Sequence, residues 1–264
     1  MEKKEKMKIE QSQGLFTFMD VLGWKGVYYK DPNAIEKLIE IYMGGKEYIE
    51  KKQEINKDIK MELFIISDTI ILLTYNKKLE NDKKDLKKGL QLSLHAEITA
   101  KIINKGISNN ILIRGATSYG KYSFSENELI FMGEAIDEAA EWHENVDWCG
   151  VILTPKAQME LDLILNNEKN MDKIPKIIKK LREYWINYNK IPLKSRNVNL
   201  KYALKWSKNK NHIISKLKES GPYTVNIAGK YLNTIEFIEY IECTCKENNG
   251  NEEVATTTVH ISNS

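Results

Sequence analysis

The sequence contains few of the residues that indicate a disulfide-stabilised or zinc-dependent protein. Its 264 residues include three cysteines and four histidines. Cys243 and Cys245 form a C-x-C pair, but the second pair that would complete a zinc site is missing. No apolar run approaches the roughly 18 residues of a membrane span, and the charged N-terminal segment lacks the apolar stretch of a signal peptide. These absences predict a cytoplasmic protein with reduced thiols.

Arginine is also scarce, and the positive charge is unevenly distributed. The net charge is +3, yet residues 156–218 carry 14 Lys and 2 Arg against 5 Asp and Glu. Such a segment can form a surface for polyanions, or it can be the solvated face of Lys-rich helices. We favour the second interpretation, and nucleic acid is not an expected partner.

The hydrophobic pattern predicts an α+β fold. Apolar and branched runs predict strands, among them a tight hairpin formed by MELFII and TIILLTY, and amphipathic segments predict helices between the strands. The predicted order is β-α-β-β-α-β-β-α-β, which favours a mostly antiparallel sheet with helices on one face and the other face free. The predicted helices cover residues 33–57, with a break at Gly44-Gly45, and residues 84–105 and 133–144.

The same pattern divides the chain into four parts. We expect a disordered polar start at residues 1–13, a main domain at 14–158, and a mobile tail at 251–264. Between them, residues 159–250 form a basic extension packed on the main domain. This extension is predicted to hold helices at 174–187 and 199–217, followed by short strands or an irregular edge at 223–245.

An aspartate lies inside an apolar run near the N-terminus. In LFTFMDVL, residues 15–22, Asp20 would share one strand face with Phe16 and Phe18, and a buried carboxylate is costly unless it is paired or binds a metal. Asp68 lies at the tip of the predicted hairpin, where Ser-Asp is also ordinary turn chemistry. If the first strand lies beside the hairpin, the two carboxylates converge and favour hard divalent cations such as Mg²⁺ or Mn²⁺.

Four segments together resemble the catalytic domain of class III adenylyl and guanylyl cyclases. They are similar, in order, to the family's first metal-binding strand, its metal-binding hairpin, its R-x-G-x-x-x-G strand and its G-x-x-V-N-x-A-A-R-L helix. The resemblance covers about residues 14–155 and implies a ferredoxin-like sheet with a C-terminal mixed extension. The four segments are FTFMDVLGWKG, IISDTIILL, IRGATSYG and GEAIDEAAEW.

The resemblance implies a two-metal mechanism. Asp20 and Asp68 would bind two Mn²⁺ or Mg²⁺ ions, and the backbone carbonyl of Val21 would add a ligand. The loop from Leu22 through Gly23 to Gly26 would hold the triphosphate of the substrate through backbone N–H groups. The metals would assist attack of the ribose 3′-hydroxyl on the α-phosphate with loss of pyrophosphate. Since the active sites of this family lie between two subunits, a homodimer is implied.

The sequence departs from the family at the positions that act on the ribose, the phosphates and the base. The transition-state Asn and Arg of the family align with Asp137 and Glu141. Two positions that read a purine are occupied by Phe64 and Ile130, which cannot hydrogen-bond a purine edge. Two explanations remain: an inactive cyclase, or a cyclase with a different base specificity.

We favour a different base specificity, because the pair of metal-binding aspartates is intact. The S-D-T-I hairpin, the R-G-A strand and the A-x-E-W-x-E helix also resemble the bacterial pyrimidine cyclases of Pycsar antiphage defence. That resemblance implies conversion of UTP or CTP to a 3′,5′-cyclic messenger. Phe18 is then expected to line the substrate site, and Arg114 to contact the base or a phosphate, which favours UTP. The alternatives are a purine cyclase with atypical base contacts and an inactive nucleotide-binding sensor.

Overall fold

A single eight-stranded sheet organises the chain. The computed structural model describes residues 9–24, 27–76, 84–125, 127, 129–166, 175–195, 198–207, 209–221 and 225–257. The strand order is β2-β3-β1-β4-β6-β8-β7, and β5 pairs with the far end of β4. The strands are β1 (Glu10–Val21), β2 (Ile59–Ile66), β3 (Thr69–Asn76), β4 (Ile113–Ser125), β5 (Ile130–Met132), β6 (Gly150–Leu153), β7 (Trp185–Asn187) and β8 (Tyr202–Leu204).

The helices connect these strands in the predicted order. They are α1 (Val27–Lys30), α2 (Ala34–Ile55), α3 (Lys84–Ser108), α4 (Glu134–Asn145), α5 (Pro155–Asn166), α6 (Pro175–Tyr184), α7 (Lys210–Ser220) and α8 (Val225–Thr257). All strand pairs are antiparallel except β4 with β6. The predicted α+β class with a mostly antiparallel sheet is therefore confirmed.

The central strand β1 has buried side chains on both faces, which explains its nearly continuous apolar sequence. Leu15 and Met19 belong to the larger core cluster, together with residues of α2 and α3. Phe16, on the opposite face, belongs to a second cluster rich in aromatic rings, and Phe18 packs against that cluster. Successive side chains of a strand point to opposite faces, so β1 divides the domain into two cores.

A buried polar network links β1 to its neighbours on the α3 side. The Thr17 hydroxyl is hydrogen-bonded to the His95 ring and, at 2.6 Å, to the Thr117 hydroxyl, while the second His95 ring nitrogen lies 2.8 Å from the Thr74 hydroxyl. Complete burial lowers the pKa of His95 to about 3, so the ring is neutral at physiological pH. The network satisfies these polar groups and favours a single register of β1 against β3 and β4.

The second face of the sheet is partly covered, which differs from the prediction that helices lie on one face. Helices α2 and α3 lie on the predicted face, but Ala135, Ile136 and Ala139 of α4 pack into the aromatic cluster beside Phe16. Phe131 of β5 also packs there. The reason is that this face carries large aromatic side chains, whose exposure to water would be unfavourable.

Two further predictions at the start of the chain were wrong in their boundaries. Strand β1 begins at Glu10 and pairs with β4 from that residue onward, so residues 10–13 are not a disordered start; residues 1–8 lie outside the described residues. Helix α2 continues through Gly44-Gly45. A Cβ at Gly45 would lie 2.6 Å from a Leu63 methyl carbon, so this glycine allows close packing of α2 on β2.

Residues beyond 158 are part of the same structure. Strand β8 pairs with β6 and with β7, and so extends the sheet. The short strands or irregular edge predicted at 223–245 belong instead to α8, whose buried residues recur at helical spacing. The C-terminal segment predicted to be mobile begins inside α8, which ends at Thr257, and residues 258–264 lie outside the described part of the chain. The buried positions of α8 are Tyr231, Thr234, Phe237, Ile238 and Ile241.

Helix α8 joins the main core through aromatic contacts. The Phe237 ring lies edge-on to Trp148, the residue two positions before β6, with 4.1 Å between the ring centroids. Within the described residues, no helix is both long enough and apolar enough to cross a membrane. The C-terminal region is therefore built into the core that supports the sheet.

We expect Phe237→Ala to destabilise the whole domain. Removing a fully buried aromatic ring typically costs about 3–5 kcal/mol of unfolding free energy, and the loss should lower a single cooperative transition measured by urea denaturation. Leu232→Ala is the control, because Leu232 is exposed on the same helix and should change stability by less than about 0.5 kcal/mol. An unchanged main transition in Phe237→Ala would mean that the extension unfolds independently.

Candidate active site

The structure brings Asp20 and Asp68 together at one end of the sheet. Asp20 pairs with Thr69, the first residue of β3, and Asp68 is the residue just before it. The Val21 N–H donates to the Asp68 carbonyl at 3.3 Å. Ser67 adopts the left-handed backbone conformation, with φ of 57°, which closes the two-residue turn. The hairpin tip therefore lies beside the C-terminal end of β1, as the sequence predicts.

Arg114 holds the Asp20 carboxylate from the other side. It is the cross-strand partner of Asp20 on β4, and its Nη2 donates to Asp20 Oδ2 at 3.1 Å. Its Nη1 donates to the carbonyls of Glu144 and Val146 at 3.2 and 3.1 Å. The side chains of Arg114 and Asp20 are only 13% and 23% exposed. This position differs from the sequence-based assignment of Arg114 to the base or a phosphate.

The electrostatics of Asp20 reflect its two charged neighbours. Burial raises the pKa of the Asp20 carboxyl, the Arg114 guanidinium lowers it through a hydrogen bond and charge, and the Asp68 carboxylate raises it again. The net direction is upward from the ordinary value, so an ionised Asp20 is disfavoured by its surroundings. A cation placed between the two carboxylates would relieve this repulsion.

The donor set at this end of the sheet fits a divalent metal that retains ligands from water or substrate. The Asp68 carboxylate forms no hydrogen bond or ion pair with any described residue, and the Asp20 carboxylate is bonded to the described residues only through Oδ2, to Arg114. No cluster of three or more acidic, histidine or cysteine side chains capable of holding a metal occurs among the described residues. Mg²⁺ is commonly bound by one or two carboxylates together with substrate phosphates, so the Asp20–Asp68 pair suits Mg²⁺ or Mn²⁺.

The loop after β1 has a shape suited to phosphate groups. Gly23 has φ of 75°, a left-handed conformation that favours glycine. The N–H of Leu22 donates to the Leu112 carbonyl at 2.8 Å, so it is not available to a phosphate. The N–H groups of Gly23 and Trp24 form no hydrogen bond with described residues. The other two residues of the predicted phosphate loop, Lys25 and Gly26, lie outside the described residues.

Phe18 lies two residues before Asp20 on β1 and shares its strand face; its expected place in the substrate site stays a prediction. It is half-buried, and its ring lies 4.4 Å, centroid to centroid, from the ring of His143 on α4. Burial lowers the pKa of His143, which favours a neutral imidazole. His143 was not among the predicted site residues, because a single histidine in a helix carries no distinctive sequence signal.

The two predicted base-contacting residues lie in the same region but differ in exposure. Phe64 is buried in the aromatic cluster, with its ring 5.2 Å from that of Phe131 between centroids. Ile130 is exposed, since neighbouring residues of a strand point to opposite faces and Phe131 takes the inward position. The structure therefore does not place Phe64 and Ile130 side by side in one cavity.

The C-terminal region adds cations that the sequence analysis missed. Lys194 lies in the connection between β7 and β8, where its N–H donates to the Asn145 carbonyl at 2.9 Å. Burial lowers the pKa of Lys194, and the nearby charges of Arg114 and Lys230 lower it further. Lys194 thus lies within the electrostatic range of Arg114. Its sequence distance from Asp20 explains why no motif revealed it.

Two acidic residues of α4 align with the transition-state Asn and Arg of class III cyclases, and both point outward. Asp137 and Glu141 are exposed and one helical turn apart on α4. Inward-facing Glu138 instead accepts a hydrogen bond from the Ser118 hydroxyl at 2.5 Å. Neither Asp137 nor Glu141 contributes to the carboxylate site within the chain.

Four lysines of residues 156–218 are paired with acids from other parts of the chain. This pairing leaves less unbalanced charge than the sequence count indicates, and it is the arrangement expected of solvated lysines on a folded surface. The pairs are Lys156–Glu134, Lys180–Glu97, Lys190–Glu236, and Lys210 with Glu239 and Glu242.

No protein-family model matches the sequence, and no curated protein matches it either. One solved structure with a similar fold is the catalytic core of a rhodopsin-guanylyl cyclase with converted specificity in complex with ATPαS. It is 8% identical with a TM-score of 0.48, and the match covers 74% of this chain and 96% of that chain. Another is the monomeric guanylyl cyclase domain of the RhoGC fusion protein from the aquatic fungus Blastocladiella emersonii, at 10% identity and a TM-score of 0.44, covering 59% and 89%.

A third similar structure is a class III adenylyl cyclase-like ATP-binding protein from Pseudomonas aeruginosa. It is 12% identical with a TM-score of 0.40, and the match covers 69% of this chain and 46% of that chain. Similarities at this level carry no argument about activity, which must rest on the residues of the site.

We expect Asp20→Asn to leave the metal-free protein at least as stable as the wild type at neutral pH. The folded-state pKa of Asp20 is raised, so its ionisation opposes folding, and stability falls as pH rises through the Asp range. The difference in melting temperature should shrink as the pH is lowered below the ordinary pKa of an aspartate, about 3.9.

Asp31→Asn is the control of opposite sign. A hydrogen bond from Lys37 lowers the pKa of Asp31, so this ionised carboxylate favours folding above the ordinary pKa of Asp, and the substitution should slightly lower the neutral-pH melting temperature. Differential scanning fluorimetry from pH 3 to 8 compares the two variants. A marked loss of stability in Asp20→Asn at neutral pH would contradict the raised pKa.

Proposed function

We propose that this chain is a nucleotide cyclase, which converts a nucleoside triphosphate to the 3′,5′-cyclic monophosphate and pyrophosphate. The observation that carries the proposal is the convergence of Asp20 and Asp68 at one end of the sheet. The Asp68 carboxylate has no partner among the described residues, and burial and the Asp68 charge raise the pKa of Asp20. The four sequence segments that resemble class III cyclases occur in the same order along the chain as in that family, and two of them contain Asp20 and Asp68.

Asp20 and Asp68 would hold two divalent ions, Mg²⁺ or Mn²⁺, and the Val21 carbonyl is a further candidate ligand. Bound ions of this kind polarise phosphoryl oxygens and lower the pKa of a coordinated hydroxyl. The N–H groups of Gly23 and Trp24 and the ammonium group of Lys194 are our candidates for binding the phosphates. Phe18 would pack against the nucleoside.

The reaction forms one bond and breaks one bond at phosphorus. The ribose 3′-oxygen bonds to the α-phosphorus while the bond from that phosphorus to the bridging oxygen breaks. Pyrophosphate leaves with the bridging oxygen, and the 3′-hydroxyl proton passes to solvent. The described residues contribute by aligning the 3′-oxygen with the bond that breaks, which is the main requirement of phosphoryl transfer.

We further infer that the substrate is a pyrimidine nucleotide, UTP or CTP. Phe64 lies in a cluster whose members near it are phenylalanine and aliphatic side chains, and Ile130 is also apolar. A purine edge placed against Phe64 would find no hydrogen-bond partner there, at a cost of roughly 1–3 kcal/mol for each hydrogen bond lost. Ile130 is exposed and lies outside that cluster within the chain. The expected preference for UTP depended on a contact between Arg114 and the base. Because Arg114 is bonded to Asp20, the resemblance to pyrimidine cyclases supports UTP and CTP equally.

The same resemblance supports a role for the product as an antiphage second messenger in the cytoplasm. Cys149 and Cys243 are free thiols, which is compatible with a reducing compartment. The proposal would be tested by measuring the cyclic nucleotide in bacteria that carry the gene, before and after phage infection.

We expect the purified protein to form cyclic UMP or cyclic CMP as its main product when each of the four nucleoside triphosphates is supplied with Mn²⁺. ATP and GTP should react at least about 10-fold more slowly, since one lost hydrogen bond costs roughly 1–3 kcal/mol. Liquid chromatography with mass detection identifies the products. Faster cyclisation of ATP or GTP would refute the pyrimidine assignment and leave a purine cyclase with atypical contacts.

Asp20→Ala and Asp68→Ala should each abolish turnover without unfolding the protein, because both carboxylates serve the metal site. Glu50→Ala is the control, since this acid is exposed on α2 and lies outside the four segments that resemble the cyclase family. Near-normal turnover in either aspartate variant would refute the two-metal assignment. Nucleotide binding without turnover in the wild type would instead identify a sensor.

We also infer that the chain acts as a homodimer, which is supported by the resemblance and by exposed apolar side chains on and beside β5. We expect a dimer by sedimentation velocity at micromolar concentration, and dissociation in Met132→Glu. Leu232→Glu is a matched control, because Met132 and Leu232 are 67% and 66% exposed but lie on different elements. A monomeric wild type with full turnover would contradict the dimer.

A further inference from the structure

Arg114 connects the candidate metal site to the end of α4. Its guanidinium donates one hydrogen bond to Asp20 and two to main-chain carbonyls, those of Glu144 and Val146. The planar guanidinium can serve these three acceptors at once, whereas a lysine ammonium on a flexible stem holds no such fixed geometry. The direction of the guanidinium is therefore set by the backbone, and the direction of the Asp20 carboxylate is set by the guanidinium.

The backbone segment that receives Arg114 is itself held from the opposite side. Asp147 Oδ1 pairs with Lys230 of α8 at 2.9 Å, and the Asp147 carbonyl accepts a hydrogen bond from Asn233 at 2.8 Å. The Asp147 N–H donates to the Pro192 carbonyl at 3.0 Å. These contacts immobilise the connection between α4 and β6, so the two carbonyls that anchor Arg114 form a rigid support.

We propose that Arg114 is a positioning residue that orients the Asp20 carboxylate for metal binding and does not contact the substrate. The inference rests on the proposed function, because it assigns Asp20 to a metal. One oxygen of Asp20 is held by Arg114 and the other is left for the ion. Groups that hydrogen-bond a metal ligand commonly affect metal affinity by 10–100-fold when they are replaced.

The test measures Mn²⁺ binding directly, without turnover, from the electron paramagnetic resonance signal of free Mn²⁺. Wild-type protein should bind Mn²⁺, and Asp20→Ala should lose this binding. We expect Arg114→Met to weaken Mn²⁺ binding 10–100-fold. At saturating Mn²⁺, the KM for the nucleotide should stay within about twofold of the wild-type value, since Arg114 does not touch the substrate.

Lys88→Met is the matched control. Lys88 pairs with Glu160 at 2.5 Å, and the two side chains are 11% and 21% exposed, close to the values for Arg114 and Asp20. The Lys88→Met substitution removes one cation from a similarly buried ion pair, which joins α3 to α5. A loss of thermal stability in Lys88→Met without a change in Mn²⁺ affinity separates general destabilisation from positioning.

Arg114→Lys provides a second variant if Arg114→Met does not fold. Lysine keeps the charge but not the three-way geometry, so Mn²⁺ affinity should still fall about tenfold. Wild-type Mn²⁺ affinity in both folded variants would overturn the proposal. A raised nucleotide KM with unchanged Mn²⁺ affinity would also overturn it, by showing a substrate contact. The wild type could bind Mn²⁺ with an affinity that depends on Asp20 and Arg114 and yet cyclise no nucleotide. That result would support the positioning role and refute the cyclase function.

Discussion

The ion pair between Asp20 and Arg114 is the contact on which the proposed site depends. Asp20 ends a strand whose preceding residues are buried on both sides, so its charge needs a compensating partner. Arg114 supplies it from the next strand, in direct register. The compensation is incomplete, because burial and Asp68 still raise the pKa of Asp20. A site with residual negative charge and a free carboxylate oxygen is suited to bind a cation.

The C-terminal third of the chain supports this site in two ways. Strand β8 pairs with β6, and α8 packs its aromatic side chains against Trp148, so the connection after α4 is covered. The same region brings Lys194 and Lys230 toward the carboxylate end of the sheet. A region that carries no recognisable motif therefore contributes both packing and charge to the candidate active site.

The second face of the sheet has consequences for specificity. Its aromatic cluster, which includes Phe16 and Phe64, is closed within the chain by α4 and β5. Phe64 cannot donate or accept a hydrogen bond, and it is held by its neighbours. Any base that binds near Phe18 would meet ring faces and aliphatic side chains on this side, and its polar edge would have to be read by other groups.

The sequence by itself determined the order of strands and helices as far as β6, and it determined that Asp20 and Asp68 lie at the same end of the sheet. Alternating and continuous apolar runs predict the strands. Because only two residues separate β2 from β3, Asp68 must lie at the tip of the hairpin. Gly45 shows the limit of such reasoning, because a glycine that looks like a helix break from the sequence is required by the close approach of Leu63. The helix α8 was likewise not predicted, because its threonine, isoleucine and phenylalanine residues are also typical of strands.

Only the tertiary structure decided the roles of Arg114, Lys194 and α4. The direction of the Arg114 head depends on two carbonyls some 30 residues later in the chain, and no local pattern encodes such a contact. The charge of Lys194 comes within range of Arg114 because its backbone N–H is bonded to the Asn145 carbonyl, in a loop that lies far from the motifs in sequence. Local propensity and periodicity specify which elements form, but long-range packing specifies which of their side chains meet.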